Sequence, residues 1–151
     1  MEQELASIEK FVLEAAGSPQ PYYWNMPEGF AYPAIYFPVP EITSGGETFS
    51  TYNLLYRWYI VCFASTREDA YDLAFAALTS IRASRNLIPL VDEDGELTGK
   101  GLRLYDPTCK VIDDCAAQLA ISFTSRRPYN REPVEKTVTF HPTITPQERN
   151  R

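Results

Sequence analysis

Asp92-x-Asp94-Gly95 has the spacing that opens a calcium loop, in which alternate carboxylates turn oxygens onto one cation. The later oxygen ligands and the closing Glu of that twelve-residue pattern are missing, so a hairpin turn explains these residues better. Asp106 with Asp113-Asp114 offers carboxylates that could hold a metal or divide acid and base roles. A strand entrance facing solvent accounts for them more simply. The three cysteines, Cys62, Cys109 and Cys115, form no C-x-x-C, and the single histidine, His141, is far from them in sequence, so no zinc site is expected. Cys62 and Cys115 fall in apolar strand patterns, where a reduced thiol acts as a small hydrophobe and a reducing compartment is natural. There is no G-x-S-x-G, and Gly95, Gly99 and Gly101 lack the Lys-Ser/Thr and helix of a phosphate loop. His141 stands in a Pro-rich stretch, a poor place to hold a general base. No catalytic, metal-binding or cofactor-binding residue is assigned, and no cofactor is expected.

The elements that would position any site must fit one domain, because 151 residues leave no room for two. A chain of this size can bury about 70% of its unfolded surface and needs no covalent staples. Hydrophobic residues make up 44% and charged residues 23%, which excludes a wholly disordered or fibrous chain. No apolar run reaches the ~18 residues of a membrane span, and the N-terminal residues lack a signal-peptide pattern. The net charge of −6 argues against nucleic-acid binding, which needs a basic surface. The charge is uneven. Residues 126–151 hold six basic side chains against three acidic ones, net +3, which leaves −9 on residues 1–125. Such a division favours contact between copies of the chain or with another protein.

Leu5, Ile8, Val12 and Ala15-Ala16 predict a helix over 2–16, with Glu2, Glu4, Glu9, Lys10 and Glu14 off its apolar stripe; Gly17 and Pro19 end it. Residues 18–40 read as an aromatic, Pro-punctuated stretch with short extended segments at 22–24 and 34–39, followed by a flexible loop at 43–47. Residues 52–64 predict the longest strand. Both its faces are apolar, so one is expected to meet helices and the other a neighbouring sheet or subunit. The aromatics there could also stack on bases, but one Arg57 in an acidic body favours packing. Ser65-Thr66-Arg67-Glu68 reads as a capping box opening a helix that runs to about 85. Strands are expected at 87–91 and 102–105 around an acidic turn, with Asp106-Pro107 ending the second, and a half-buried strand at 113–125. Trp58, Ile60, Leu73, Leu78, Leu119 and Ile121 are the expected core. The fold class is therefore α+β: an antiparallel sheet of four to five strands with two main helices packed on it, and an extended C-terminal tail. The domain is expected over 1–129 and a Pro-containing arm over 130–151. Only Lys136–His141 has strand character there, with Val138 and Phe140 spaced to add a strand to a neighbouring sheet edge.

The order of these segments resembles the tail terminator proteins of long-tailed bacteriophages and related prophage particles. The resemblance covers residues 5–129. It runs through Ile8–Val12, Pro21-Tyr22-Tyr23-Trp24, Tyr32–Phe37, Tyr56–Val61, Ser65–Ala70, Leu102–Pro107, Asp113–Leu119 and Phe123–Tyr129. It implies a non-enzymatic virion protein at the tail–neck junction, assembled in the host cytoplasm. Its partners would be itself, in a hexameric ring, the tail tube protein below and a neck or head-completion protein above. It implies no membrane, and DNA would pass through the ring without being bound. The interface residues expected on this basis are Arg57, Tyr59, Arg103, Asp113, Asp114, Arg126, Arg127, Tyr129, Arg131, Val138 and Phe140. The alternatives are a head–tail connector, a small cellular ligand-binding module walled by the aromatic 22–37 region, and an enzyme around Asp106, Asp113 and Asp114.

Overall fold

The spacing of Leu5, Ile8 and Val12 becomes helix α1, Gln3–Ala15, in a computed structural model that describes residues 3–130. Gly17 ends the helix at φ +81°, a backbone state that costs glycine nothing. The short strands β1, Gln20–Tyr23, and β2, Ala34–Phe37, follow and pair in parallel. Next come β3, Glu41–Gly46, and the long β4, Thr51–Phe63. Helix α2, Arg67–Ala83, leads to β5, Leu87–Val91, and β6, Leu97–Arg103. Strand β7, Tyr105–Asp113, turns into β8, Ala116–Pro128. The main sheet has six strands in the order β1-β2-β4-β8-β7, with β3 beside β2 on the same flank of β4; β5 and β6 form a separate two-stranded sheet. The α+β class stands, with more strands than the sequence suggested and one parallel pair.

Period-two alternation puts one face of β4 and β8 under the helices. Tyr56, Trp58, Ile60 and Cys62 lie opposite Phe123, Ile121, Leu119 and Ala117 in register, and all are buried. Tyr56 and Phe123 stack at 4.5 Å, and the buried Trp58 indole donates to Pro38 O at 2.6 Å. Helix α2 presents Ala70, Ala74, Ala77 and Ile81 to this layer, small residues that let the helix approach closely. Leu73 and Leu78 are only half-buried, which corrects the expected core: they flank the alanine stripe instead of heading it. The α2 cap also sits one residue later than the Ser65 box. Thr66 is the N-cap, and its hydroxyl accepts from the Asp69 amide.

Two segments read as irregular are strands. Residues 41–46 form β3, whose exposed side chains carry no alternation to detect, because it pairs with β4 without covering the core. Asp106-Pro107 does not end a strand. It sits in a bulge of the edge strand β7, with Asp106 at φ +48° and the register to β8 shifting between Tyr105 and Thr108. Cys115 precedes β8 in the turn instead of lying within it. Glu9, expected on the polar side of α1, is buried.

Candidate assembly interface

Among the described residues the other face of the main sheet carries no helix. Along β4 it presents Leu55, Arg57, Tyr59, Val61 and Phe63, and along β8 Ala116, Gln118, Ala120, Ser122, Thr124 and Arg126. One end is closed by the chain itself. Phe30 packs on Phe63 at 4.9 Å and on Tyr32 at 5.2 Å, with Tyr22 edge-on to Phe30, so the aromatic 22–37 region folds over its own sheet. Beyond that cover Leu55 and Tyr59 stay 40% and 38% exposed, with Arg57 exposed between them. Two half-exposed apolar side chains around a cation form a surface suited to another protein.

The expected interface residues occupy three places. Arg57, Tyr59 and Arg126 share the helix-free face. Arg126 is held there by Glu47, with Nε and Nη2 donating at 2.7 and 2.6 Å to the two carboxylate oxygens, and the guanidinium keeps that carboxyl below its usual range. Arg127 faces the helix side, half-buried, with Nε donating to Ser125 Oγ at 3.0 Å, and Ser125 Oγ donates to Glu4 Oε1 at 2.8 Å. Tyr129 lies against Tyr52 at 5.2 Å at the tip of the β3–β4 hairpin. Asp113 and Asp114 stand at the far end of β8, about 33 Å away at ~3.3 Å per residue. Asp114 pairs with Arg67 at 2.5 Å, and Asp113 accepts from the Asp114 amide. Arg103 ends β6 on the smaller sheet. Arg131, Val138 and Phe140 lie outside the described residues. The period of two in β4 and β8 brings Arg57, Tyr59 and Arg126 onto one face. The sequence could not separate Asp113 and Asp114, which belong to a turn ion pair, from them.

The acidic motifs resolve into turns. Asp92 Oδ1 accepts from the amides of Asp94 and Glu96, both at 2.9 Å, and Gly95 at φ +80° completes the β5–β6 hairpin. Asp106 and Asp113 sit seven residues apart on one strand, about 23 Å, too far to share a proton or a metal. Among the described residues no three of His, Cys, Asp and Glu gather as a metal site. Burial pushes the Cys62 thiol up to about 12, which suits a packing role. No helix of the described residues is long and apolar enough to cross a membrane.

No known family profile matches the chain. Two proteins of Bacillus subtilis strain 168 are similar over most of its length. The uncharacterized protein YqbJ is 33% identical over 132 residues, covering 87% of this chain and 90% of that protein. Protein XkdJ of the phage-like element PBSX is 31% identical over 131 residues, covering 87% and 89%. Among solved structures, a chain from the virion of a native gene transfer agent particle is similar at a TM-score of 0.49 and 14% identity, over 82% of this chain and 92% of that one.

Proposed function

The chain belongs to the family of YqbJ and the PBSX protein XkdJ, and from that premise we propose that it is a structural protein of a phage or phage-like tail. Its role in this reading is the terminator: copies close a ring, with six as the expected number, on the end of the tail tube. The ring stops the tube's growth and offers its upper face to the neck. Neither step requires bond-making chemistry, so the reading calls on no cofactor and no catalytic group.

The observation that carries the proposal is the helix-free face of the β4–β8 pair, where Leu55, Arg57 and Tyr59 remain exposed among the described residues. A subunit built for a closed ring must show a neighbour two different surfaces, one on each flank. The sheet face supplies one. The acidic Asp113–Asp114 turn and the basic Arg126–Arg127 end of β8 lie at opposite ends of one strand, which suits head-to-tail contacts between copies.

The test is electron microscopy of particles made without this protein. Tails of uncontrolled length support the terminator. Normal-length tails joined to heads overturn it, and normal-length tails lying free of heads would assign the chain to the connector instead.

A further inference from the structure

Phe49 is 107% exposed, as open to solvent as an isolated side chain. It stands at the tip of the β3–β4 hairpin, in a turn that is itself well held. The Glu47 and Thr48 amides donate to Thr51 O at 3.3 and 3.0 Å, and Thr48 Oγ1 accepts from the Ser50 and Thr51 amides at 3.2 and 3.0 Å. The backbone is thus ordered on both sides of a benzyl group that lies wholly in water. An aromatic ring held out on an ordered turn loses little freedom on entering a pocket, which is the property of an anchor residue. At the other end of β4 a cleft of about 460 Å³ opens between the aromatic 22–37 region and the start of α2. Tyr32, Pro33, Ala64 and Leu73 give it apolar walls, and the exposed Asp69 and Asp72 stand among them. A cavity of about 150 Å³ already accepts benzene, so a phenylalanine ring fits this cleft with room for the turn that carries it.

We infer that Phe49 of one copy of the chain docks in this cleft of the next copy. The inference rests on the proposed ring and names the contact that joins its members. One chain cannot make the contact alone, because β4 separates tip from cleft by about 40 Å at ~3.3 Å per residue. Charge selects a second copy as the occupant. Beside the tip, Arg126 and Arg127 lie opposite Asn53 and Tyr52 and outnumber Glu47. The cleft carries Asp69 and Asp72, and the Asp113–Asp114 turn lies next to it, since the Ala64 amide donates to Cys115 O at 3.1 Å. A basic tip and an acidic cleft steer the approach, while the buried ring supplies more of the affinity. Tip and cleft are different surfaces at opposite ends of one strand. Each docked copy therefore still has one of them to offer, and the contact runs head to tail until the rotation closes it.

Photocrosslinking in assembled particles tests it. Phe49 is replaced by p-benzoylphenylalanine, which keeps an aromatic side chain, and particles built with the full chain are irradiated. The cross-linked peptide should come from residues 64–73 of a second copy, in a band of twice the chain's mass. Cross-linking to another protein, or to a different part of this chain, overturns the contact and leaves the virion role in place. Wild-type particles that lack this chain overturn the virion role, and the contact falls with it. Phe49→Ala decides the matter if the larger benzophenone keeps the chain out of particles. It should lower particle completion at least about tenfold with an unchanged melting temperature, because the ring is fully exposed in its own chain. Wild-type particle yield from Phe49→Ala overturns the proposal.

Discussion

Glu9 is the residue whose environment departs furthest from its type. It is 6% exposed on α1, and its Oε1 finds no hydrogen-bond partner among the described residues. Burial raises its carboxyl from 4.5 to about 7. An acid whose folded value lies above its unfolded one binds protons more readily when folded, so stability falls as pH rises between the two. Below pH 4.5 both states hold the proton and nothing is lost. Above pH 7 both have released it, and the folded state bears the full cost of a buried charge. The expected outcome is that wild-type stability declines between pH 5 and pH 8, by roughly 1–2 kcal/mol once the solvent still reaching the carboxyl is discounted. Glu9→Gln should flatten that decline, and urea melts at both pH values would read it. A Gln variant with the same slope as the wild type would remove Glu9 as its source. Burial, with the nearby Glu9 charge as the smaller cause, holds the Tyr23 phenol above its ordinary value.

At the scale of the element, the alanine stripe of α2 sets the spacing between helix and sheet. Ala70, Ala74 and Ala77 are fully buried, so the helix backbone rides close over β4, β7 and β8. Ala77→Leu should push the layers apart and cost about 1–3 kcal/mol. Leu119→Ala, in the centre of β8, should instead leave a cavity and cost about 2–5 kcal/mol. Both should move the denaturant midpoint while leaving its slope unchanged, since the surface exposed on unfolding hardly differs. Leu78→Ala should cost less than Leu119→Ala, because Leu78 is already half in water. If Leu78 proved the more costly, α2 would be rotated from the orientation described.

The described residues form a two-layer body, helices on one face of the main sheet. Among the described residues the face bearing Leu55, Arg57 and Tyr59 carries no helix. If that face joins copies, the double change Arg57→Glu and Tyr59→Asp should leave the monomer's stability within about 0.5 kcal/mol, as surface changes do. The same variant should fail to complete particles when it replaces the wild type. Complementation in a strain lacking the gene, with thermal melts of the purified variant alongside, separates lost assembly from lost folding. Wild-type particle yield from a stably folded variant would take this face out of the assembly surface.

The amino-acid sequence by itself determined the elements whose signal is local. The three-and-four spacing of Leu5, Ile8 and Val12 fixed α1, and that of Ala70, Ala74 and Ala77 fixed α2. The period of two in β4 and β8 fixed which side chains share a face. Tertiary structure decided the rest. Strand β3 and the bulged β7 carry almost no pattern of their own, and they form because β4 and β8 have backbone groups that need partners. Glu9 looked like one more charge on a helix, and only the packing of α1 made it a buried carboxyl. Periodicity tells which residues face the same way, but not which way is covered: that depends on where segments distant in the chain come to rest. Among the described residues, the helix-free face of β4 is a consequence of that placement.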